Sequence, residues 1–467
     1  MNYFSHCLFC LMLGNAFLCA EELQAPPKKL SFAQAQAATL KHSEELSIAE
    51  LETWIATEKI EEIRGINLPK LSAHAAYDMR DKHAGFVRKN PMYKKEAQRP
   101  SPSLSESPSP PPPPQPKTIT TLAANKEIRS AKLSLVVPVY DFGYVSNLMK
   151  AQRSVVEATV HERERVQQDL LYGVANSFYR ALEGAKIESV VIESIRILEQ
   201  QLATARDLFS VGLVTKNDVL VVDVQLAERQ QELIQARHTI ESALATLSRL
   251  TGLQLRSVAE LDDVEDQVTW DSSVDAIIAQ ADAVHPVLKK ICAHTAAATF
   301  DVAATKAENY PDINAFVDLH TSSDSYLLHK RWIHSGIGIE IPIFDGGIVN
   351  SKVAQKRKEI SALDLRYREA VEDIHLAIQK AFLQVESAFS QLPVALQSIK
   401  LAEDNLAISR DLFAEGLIMS DDVLNDEGRL AQARSNYYQS LYDFYIAKSE
   451  LDYAAGCIQP EGIKNVG

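Results

Sequence analysis

The stretch ARDLFSVGLVTKNDVL, residues 205–220, returns as SRDLFAEGLIMSDDVL at 409–424. Arg206, Asp207, Leu208, Phe209, Gly212, Leu213, Asp218, Val219 and Leu220 find identical residues 204 positions later, at Arg410, Asp411, Leu412, Phe413, Gly416, Leu417, Asp422, Val423 and Leu424. The same offset pairs Pro138, Asp141 and Gly143 with Pro342, Asp345 and Gly347, and Gly252 with Gly456. An offset held without a gap over that span marks an internal duplication, and a repeat read first governs every later assignment.

Each copy sits between two long helical patterns. A proline-free pattern runs from 143 to 209, rich in Glu, Gln, Arg and Ala on most faces, as a coiled-coil wall would be. At 1.5 Å per residue it is about 100 Å long, far beyond a globular helix. Its counterpart covers 346–413. Asn217 or Thr215 can cap the return helix, which Thr251-Gly252 ends, and the second return helix covers 421–454. Further helices are expected over 30–65 and 272–307. Short helices stacked end to end beside long ones would build a cylinder wall, with the acidic linker 253–271 in a belt around the seam.

Elsewhere the period is two. Leu71, Ala73, Ala75, Tyr77 and Met79 alternate with Lys70, Ser72, His74, Ala76 and Asp78. Further strands are expected over 130–140, 313–320 and 333–343. His74, Asp78, Asp318, His320, His334 and Glu340 would be costly in a dry core but sit comfortably in a wet lumen. Strands of this length cross a membrane at a tilt. Four strands cannot close a barrel, and lipid tolerates no open sheet edge, so closure requires several chains. Residues 80–128 carry a basic patch and then SPSLSESPSPPPPPQP. Consecutive prolines offer no amide donors, so this segment reads as an exposed loop insertion.

The chain has 467 residues, a formal net charge of −14 and a pI of about 5.4, which argues against a nucleic-acid partner. Residues 1–20 are apolar, end in a small residue and read as a secretory signal peptide cleaved after Ala16 or Ala20. The bulky Phe17-Leu18 before Cys19 argues against lipidation. No other stretch is apolar for the length of a helical membrane span, so entry into a membrane must be by strands. No nucleotide loop, metal-ligand motif or activated nucleophile is evident, so neither an enzyme nor a cofactor or metal site is expected.

These motifs, in this order and spacing, resemble the TolC-type outer-membrane efflux family. The resemblance rests on the duplicated Phe209–Leu220 and Phe413–Leu424 segments and on the strand exits Pro138–Gly143 and Pro342–Gly347. It implies a long α-helical coiled-coil tunnel in the periplasm joined to a transmembrane β-barrel in the outer membrane. Each chain would give four strands, and a homotrimer would close twelve. The implied organisation is a signal peptide 1–20, a first repeat 21–252, an equatorial linker 253–271, a second repeat 272–456 and a tail 457–467. The implied partners are a periplasmic adaptor, an inner-membrane efflux pump or secretion transporter, and outer-membrane lipid.

On that resemblance the adaptor would seat on hairpin tips formed by Val211, Gly212, Leu213, Glu415, Gly416 and Leu417. Asp422 matches the family's inward acidic ring, although as a first-turn residue it equally suits a helix start; the same holds for Asp218. Asn425 stands where a second acid is common, Phe413 where a tyrosine is expected, and Ile418 where an arginine closes the entrance; Lys216 and Arg410 are the nearby cations. The function implied is a passive export duct for small molecules, or for proteins. The alternative is an exported coiled-coil protein that bridges membrane and periplasm without conducting.

Overall fold

A computed structural model describes residues 29–82, 84–90, 117–264, 268–415 and 417–460. The signal-peptide reading of 1–20, the polyproline block and Gly416 therefore lie outside the described residues, as does the end of the tail. The chain divides into two compact units, each drawing on both repeats. One is Met1–Trp54, Glu157–Ala293 and Asp364–Gly467; the other is Ile55–Val156 and His294–Leu363.

The second unit contains the sheet. Strands β1 (Lys70–Met79), β4 (Glu127–Tyr140), β5 (Asp312–Ser322) and β6 (Arg331–Glu340) lie side by side in that order, every pair antiparallel. Opposite residues share a face, so the register defines two rows. One row runs Ser72, Ser134, Asp318, His334, with His74, Lys132, His320, Trp332 beside it. The other face carries Leu71, Leu135, Val317 and Ala73, Leu133, Leu319, Ile333, continuing to Ile337 and Ile339. This apolar face is bare: Leu71, Leu133, Val317, Leu319, Ile333, Ile337 and Ile339 are all exposed. In water such a patch is a liability; in hydrocarbon it is the required surface.

Residues 80–128, expected as a loop, instead contain a second ladder. Strands β2 (Ala84–Lys89) and β3 (Thr118–Ala124) pair antiparallel, with Phe86 opposite Thr121 and Val87 opposite Thr120. Prolines remove donors only where they stand, and the aromatic and β-branched residues flanking them favour pairing. The last main strand stops at Glu340, short of the expected 343.

Two helices, α3 (Tyr144–Ser210) and α7 (Ile348–Ala414), have 67 residues each. Their return helices are α4 (Lys216–Thr251) and α8 (Ser420–Ala454). The helix expected over 30–65 is broken into α1 (Phe32–His42) and α2 (Glu44–Arg64) by Ser43, whose backbone turns extended and whose hydroxyl accepts the Leu46 amide at 3.2 Å. The helix expected over 272–307 is broken into α5 (Val274–Val284) and α6 (Pro286–Ala307). Pro286 lacks an amide donor and forces His285 out of the helical region, to ψ 123.

In the first unit, Leu30, Phe178, Leu244, Leu247 and Tyr442 form one buried cluster; Leu288, Ile378, Leu441, Phe444 and Leu451 form another. Leu30 is tied to the linker on both sides: its amide donates to Glu260 at 2.6 Å and its carbonyl accepts from Asp262 at 2.9 Å. An ion network joins α3 to α6 and α8. Arg165 bonds Glu162 and Asp169, Lys290 reaches Glu162 at 2.8 Å, and the Tyr453 hydroxyl donates to Asp169 at 2.8 Å. The Arg165 guanidinium, with Lys290, holds Glu162 down at about 2, while burial and Asp169 push Tyr453 up to about 12.

Both return helices end on a left-handed glycine, Gly252 at φ 71 and Gly456 at φ 68. Each glycine lies against a histidine at the end of a short helix. The Gly252 Cα faces the His42 ring, and a Cβ on Gly456 would stand 2.8 Å from His285 Cδ2. His285 is held neutral: burial lowers its pKa, and its Nδ1 accepts the Val287 amide at 3.3 Å. The unfolded chain therefore takes up this proton first, so stability is full above about pH 6.5 and falls as pH drops below it. Thermal melts of the detergent-solubilised protein at descending pH should show that fall, and His285→Asn should flatten it.

Candidate functional site: hairpin tips and sheet face

The duplicated segment forms the turns between each long helix and its return. Leu208 and Leu213 close the first: the Leu213 amide donates to the Leu208 carbonyl at 3.0 Å, and the Gly212 amide to Phe209 at 3.0 Å. Gly212 has φ 77, the left-handed conformation that lets a helix stop. The second turn repeats the long bond, Leu417 amide to Leu412 carbonyl at 2.9 Å. Both tips present apolar side chains to solvent: Val211 is 68% exposed, Leu213 73%, Leu417 67% and Met419 77%. Glu415 is exposed and Ile418 half-buried.

Asp218 and Asp422 occupy equivalent helix starts. Asp218 accepts the Thr215 amide at 2.7 Å and its hydroxyl at 2.9 Å, while the Thr215 Oγ1 accepts the Asp218 amide. Thr215, rather than Asn217, is thus the cap. Asp422 accepts the Met419 amide at 3.2 Å. Both carboxylates stay exposed, as does Asn425.

Just behind the tips lies a feature that reading the turn alone missed. Arg206 on α3 faces Asp223 on α4 at 3.9 Å, and Arg410 on α7 bonds Glu427 on α8 at 3.0 Å. These pairs are the same positions in the two repeats, and the 204-residue offset carries the signal. Arg410 is therefore committed to its own hairpin. The second hairpin adds a buried bond, Ser409 Oγ to Asp426 at 2.5 Å, with Arg429 at 2.9 Å on the same carboxylate. At the equivalent position the first hairpin instead has Val222, which packs with Leu198 and Leu202 of its own long helix and with Leu424 of the second hairpin. Phe209 and Phe413 are half-exposed, at 46% and 47%.

The strand exits are helix starts as well. The Asp141 carboxylate accepts the amides of Gly143 at 3.0 Å and Val145 at 2.8 Å; Asp345 accepts those of Gly347 and Val349, both at 2.8 Å. Gly143 and Gly347 take φ 84 and 83. The Asp345 pKa is lowered by the Val349 and Gly347 amides. Pro138 sits at a register shift in β4, and Pro342 just past β6. The duplication thus reproduces one device: an aspartate turns a strand into a long helix.

On the sheet, all six polar residues singled out from the sequence, His74, Asp78, Asp318, His320, His334 and Glu340, fall on one face. Asp318 is buried, accepting from Ser134 Oγ at 2.5 Å and pairing with Lys132 Nζ at 2.9 Å. His320 stacks on Trp332 at 4.9 Å. Lys132 and Ser134 were detectable from their parity in β4. Among the described residues no cluster of His, Cys, Asp or Glu is arranged to hold a metal, and no helix is long and apolar enough to cross a membrane.

A two-faced sheet with one bare apolar face, joined to duplicated helical hairpins, defines an outer-membrane channel component. The outer membrane efflux protein family matches residues 35–253 and 277–457, and the chain belongs to that family. Among relatives, the alkaline protease secretion protein AprF of Pseudomonas aeruginosa is 24% identical over 347 residues, covering 72% of this chain and 71% of AprF. The outer membrane protein TolC of Salmonella enteritidis is 20% identical over 356 residues, covering 73% and 71%. In fold, the outer membrane protein VceC of Vibrio cholerae matches with a TM-score of 0.68 at 16% identity, covering 91% of this chain and 96% of VceC. The protein is an outer-membrane efflux duct with a helical tunnel and a β domain, the outer-membrane component of an export system.

Proposed function

We propose that three copies of this chain close one twelve-stranded barrel and one helical tunnel, through which cargo passes passively outward. One observation carries this reading: the four-stranded sheet has a bare apolar face, a polar face, and two unpaired edges, β1 and β6. In lipid both edges must be paired, and the sheet of a second and third copy can supply the partners. His74, Asp78, Lys132, Asp318, His320, His334 and Glu340 would then line the lumen. The apolar tips Val211, Leu213 and Leu417, with Gly212 and Glu415 in the turns and Gly416 next to Glu415 in sequence, would seat a periplasmic adaptor that couples the duct to an inner-membrane pump or secretion transporter. Small molecules are the proposed cargo and proteins the second class, as the name of AprF states for that relative.

Asp422, exposed at the start of α8, would ring the entrance once per chain, with Asn425 one turn on and Asp218, Phe413 and Ile418 nearby. A ring of three carboxylates attracts cations and binds divalent ions. In planar bilayers the purified protein should give single-channel currents that millimolar divalent cations reduce. Asp422→Ala should weaken that block by about tenfold, as expected for losing roughly 1.4 kcal/mol of ion binding. Assembled protein that never conducts would leave the non-conducting bridge as the correct reading.

A further inference from the structure

The end of the sheet away from the helices carries a second kind of surface. The β1–β4 and β5–β6 connections both leave from this edge, since Met79 lies opposite Glu127 and Thr321 opposite Arg331. The two connections are fastened together. Buried Asp324 accepts the Asn125 amide at 3.2 Å, and Ser325 Oγ donates to the Asn125 side chain at 3.0 Å. In a chain of net charge −14, this edge is basic. Arg88, Lys89 and Lys117 lie on or beside the β2–β3 ribbon, and Lys330 and Arg331 at the root of β6; all are exposed. Among the described residues none of these five cations enters an ion pair.

Exposed apolar groups lie on the same ribbon and on the same β5–β6 connection. Phe86 is 72% exposed and Leu328 91%. A two-stranded ribbon has no core of its own and is marginal in water, so a surface that covers it also stabilises it. We propose that this edge binds the phosphorylated glycolipid of the outer leaflet. The five cations meet its phosphate oxygens, where guanidinium and ammonium bonds are strong, and Phe86 and Leu328 enter the apolar layer beneath. The proposal rests on the orientation given above, with the helices periplasmic and this edge outermost.

The test uses the full-length protein in detergent with bisphosphorylated lipid A as the probe, read by native mass spectrometry, and with conductance measured on the same preparation. Lipid A should be retained by the wild type, its phosphate-free form should not, and retention should fall as salt rises. Arg88→Ser/Lys89→Ser/Lys117→Ser should weaken binding by on the order of a hundredfold, with conductance unchanged. Equal binding by the variant or by the phosphate-free lipid would overturn the proposal. So would competition by inorganic phosphate at the lipid's own concentration, which would mean a soluble-anion site. Dissociation of the variant into single chains would also overturn it, because the edge would then be covered by a neighbouring copy. Lipid binding as expected without conductance would leave this proposal standing and the duct reading failed.

Discussion

Gly252→Ala is expected to destabilise the protein by roughly 2–5 kcal/mol, the sum of two separable effects. The first is the backbone: at φ 71 a residue with a Cβ pays about 1–2 kcal/mol that glycine does not. The second is space, since a Cβ at this position overlaps the His42 ring; such overpacking costs about 1–3 kcal/mol. His42→Ala in the same chain removes the overlap and leaves the backbone strain, so the double variant should recover part of the loss. Thermal melts of the four proteins in detergent measure the coupling directly. Full additivity, with His42→Ala giving no rescue, would show that the ring yields and that the strain is all backbone. The consequence for function is indirect but large, because Gly252 terminates α4 where the Leu30–linker tie and the first buried cluster meet.

That contact shows where sequence reading runs out. Gly252 and Gly456 were recognisable as helix ends from the duplication, but the histidines against them come from helices far away in the chain, at positions the 204-residue offset does not relate. The long helices, the return helices, the strand exits and the parity of the sheet were legible because each is written in a local period or a local cap. Asp141 and Asp345 could be singled out from their spacing to Gly143 and Gly347, and the structure adds only which amides they hold. The break at Ser43 was hidden because a serine inside a helical pattern is ordinary until its neighbours fix the chain direction. Pro286 is visible in the sequence, and a proline inside a helical pattern such as 272–307 divides it at the residue before. At the tips, Arg206 and Arg410 are identical, but their partners change identity between repeats, Asp223 to Glu427, so residue identity alone does not reveal the pairs.

The sheet offers the sharpest test of orientation, through two residues on neighbouring strands that face opposite ways. Val317, between Leu135 and Ser335 on the bare face, is 44% exposed. An arginine there would lie in hydrocarbon near the middle of β5, at a cost of about 2–4 kcal/mol in each chain. In the proposed three-chain barrel the cost recurs in every chain. Val317→Arg is therefore expected to abolish outer-membrane assembly, read as loss of the protein from the outer-membrane fraction and of its heat-modifiable oligomer on gels. His334→Arg puts the same side chain on the other face, opposite Asp318. There the carboxylate already holds Lys132 at 2.9 Å in a polar row, and a second cation has a partner and water. This variant should assemble to wild-type levels and shift the conducted current toward anions, as substitutions inside a barrel tune selectivity without unfolding it. Equal tolerance of both changes would remove the case for lipid against the Leu71–Ile339 face. Assembly of Val317→Arg with failure of His334→Arg would turn the sheet inside out, and with it the assignment of every lumen residue.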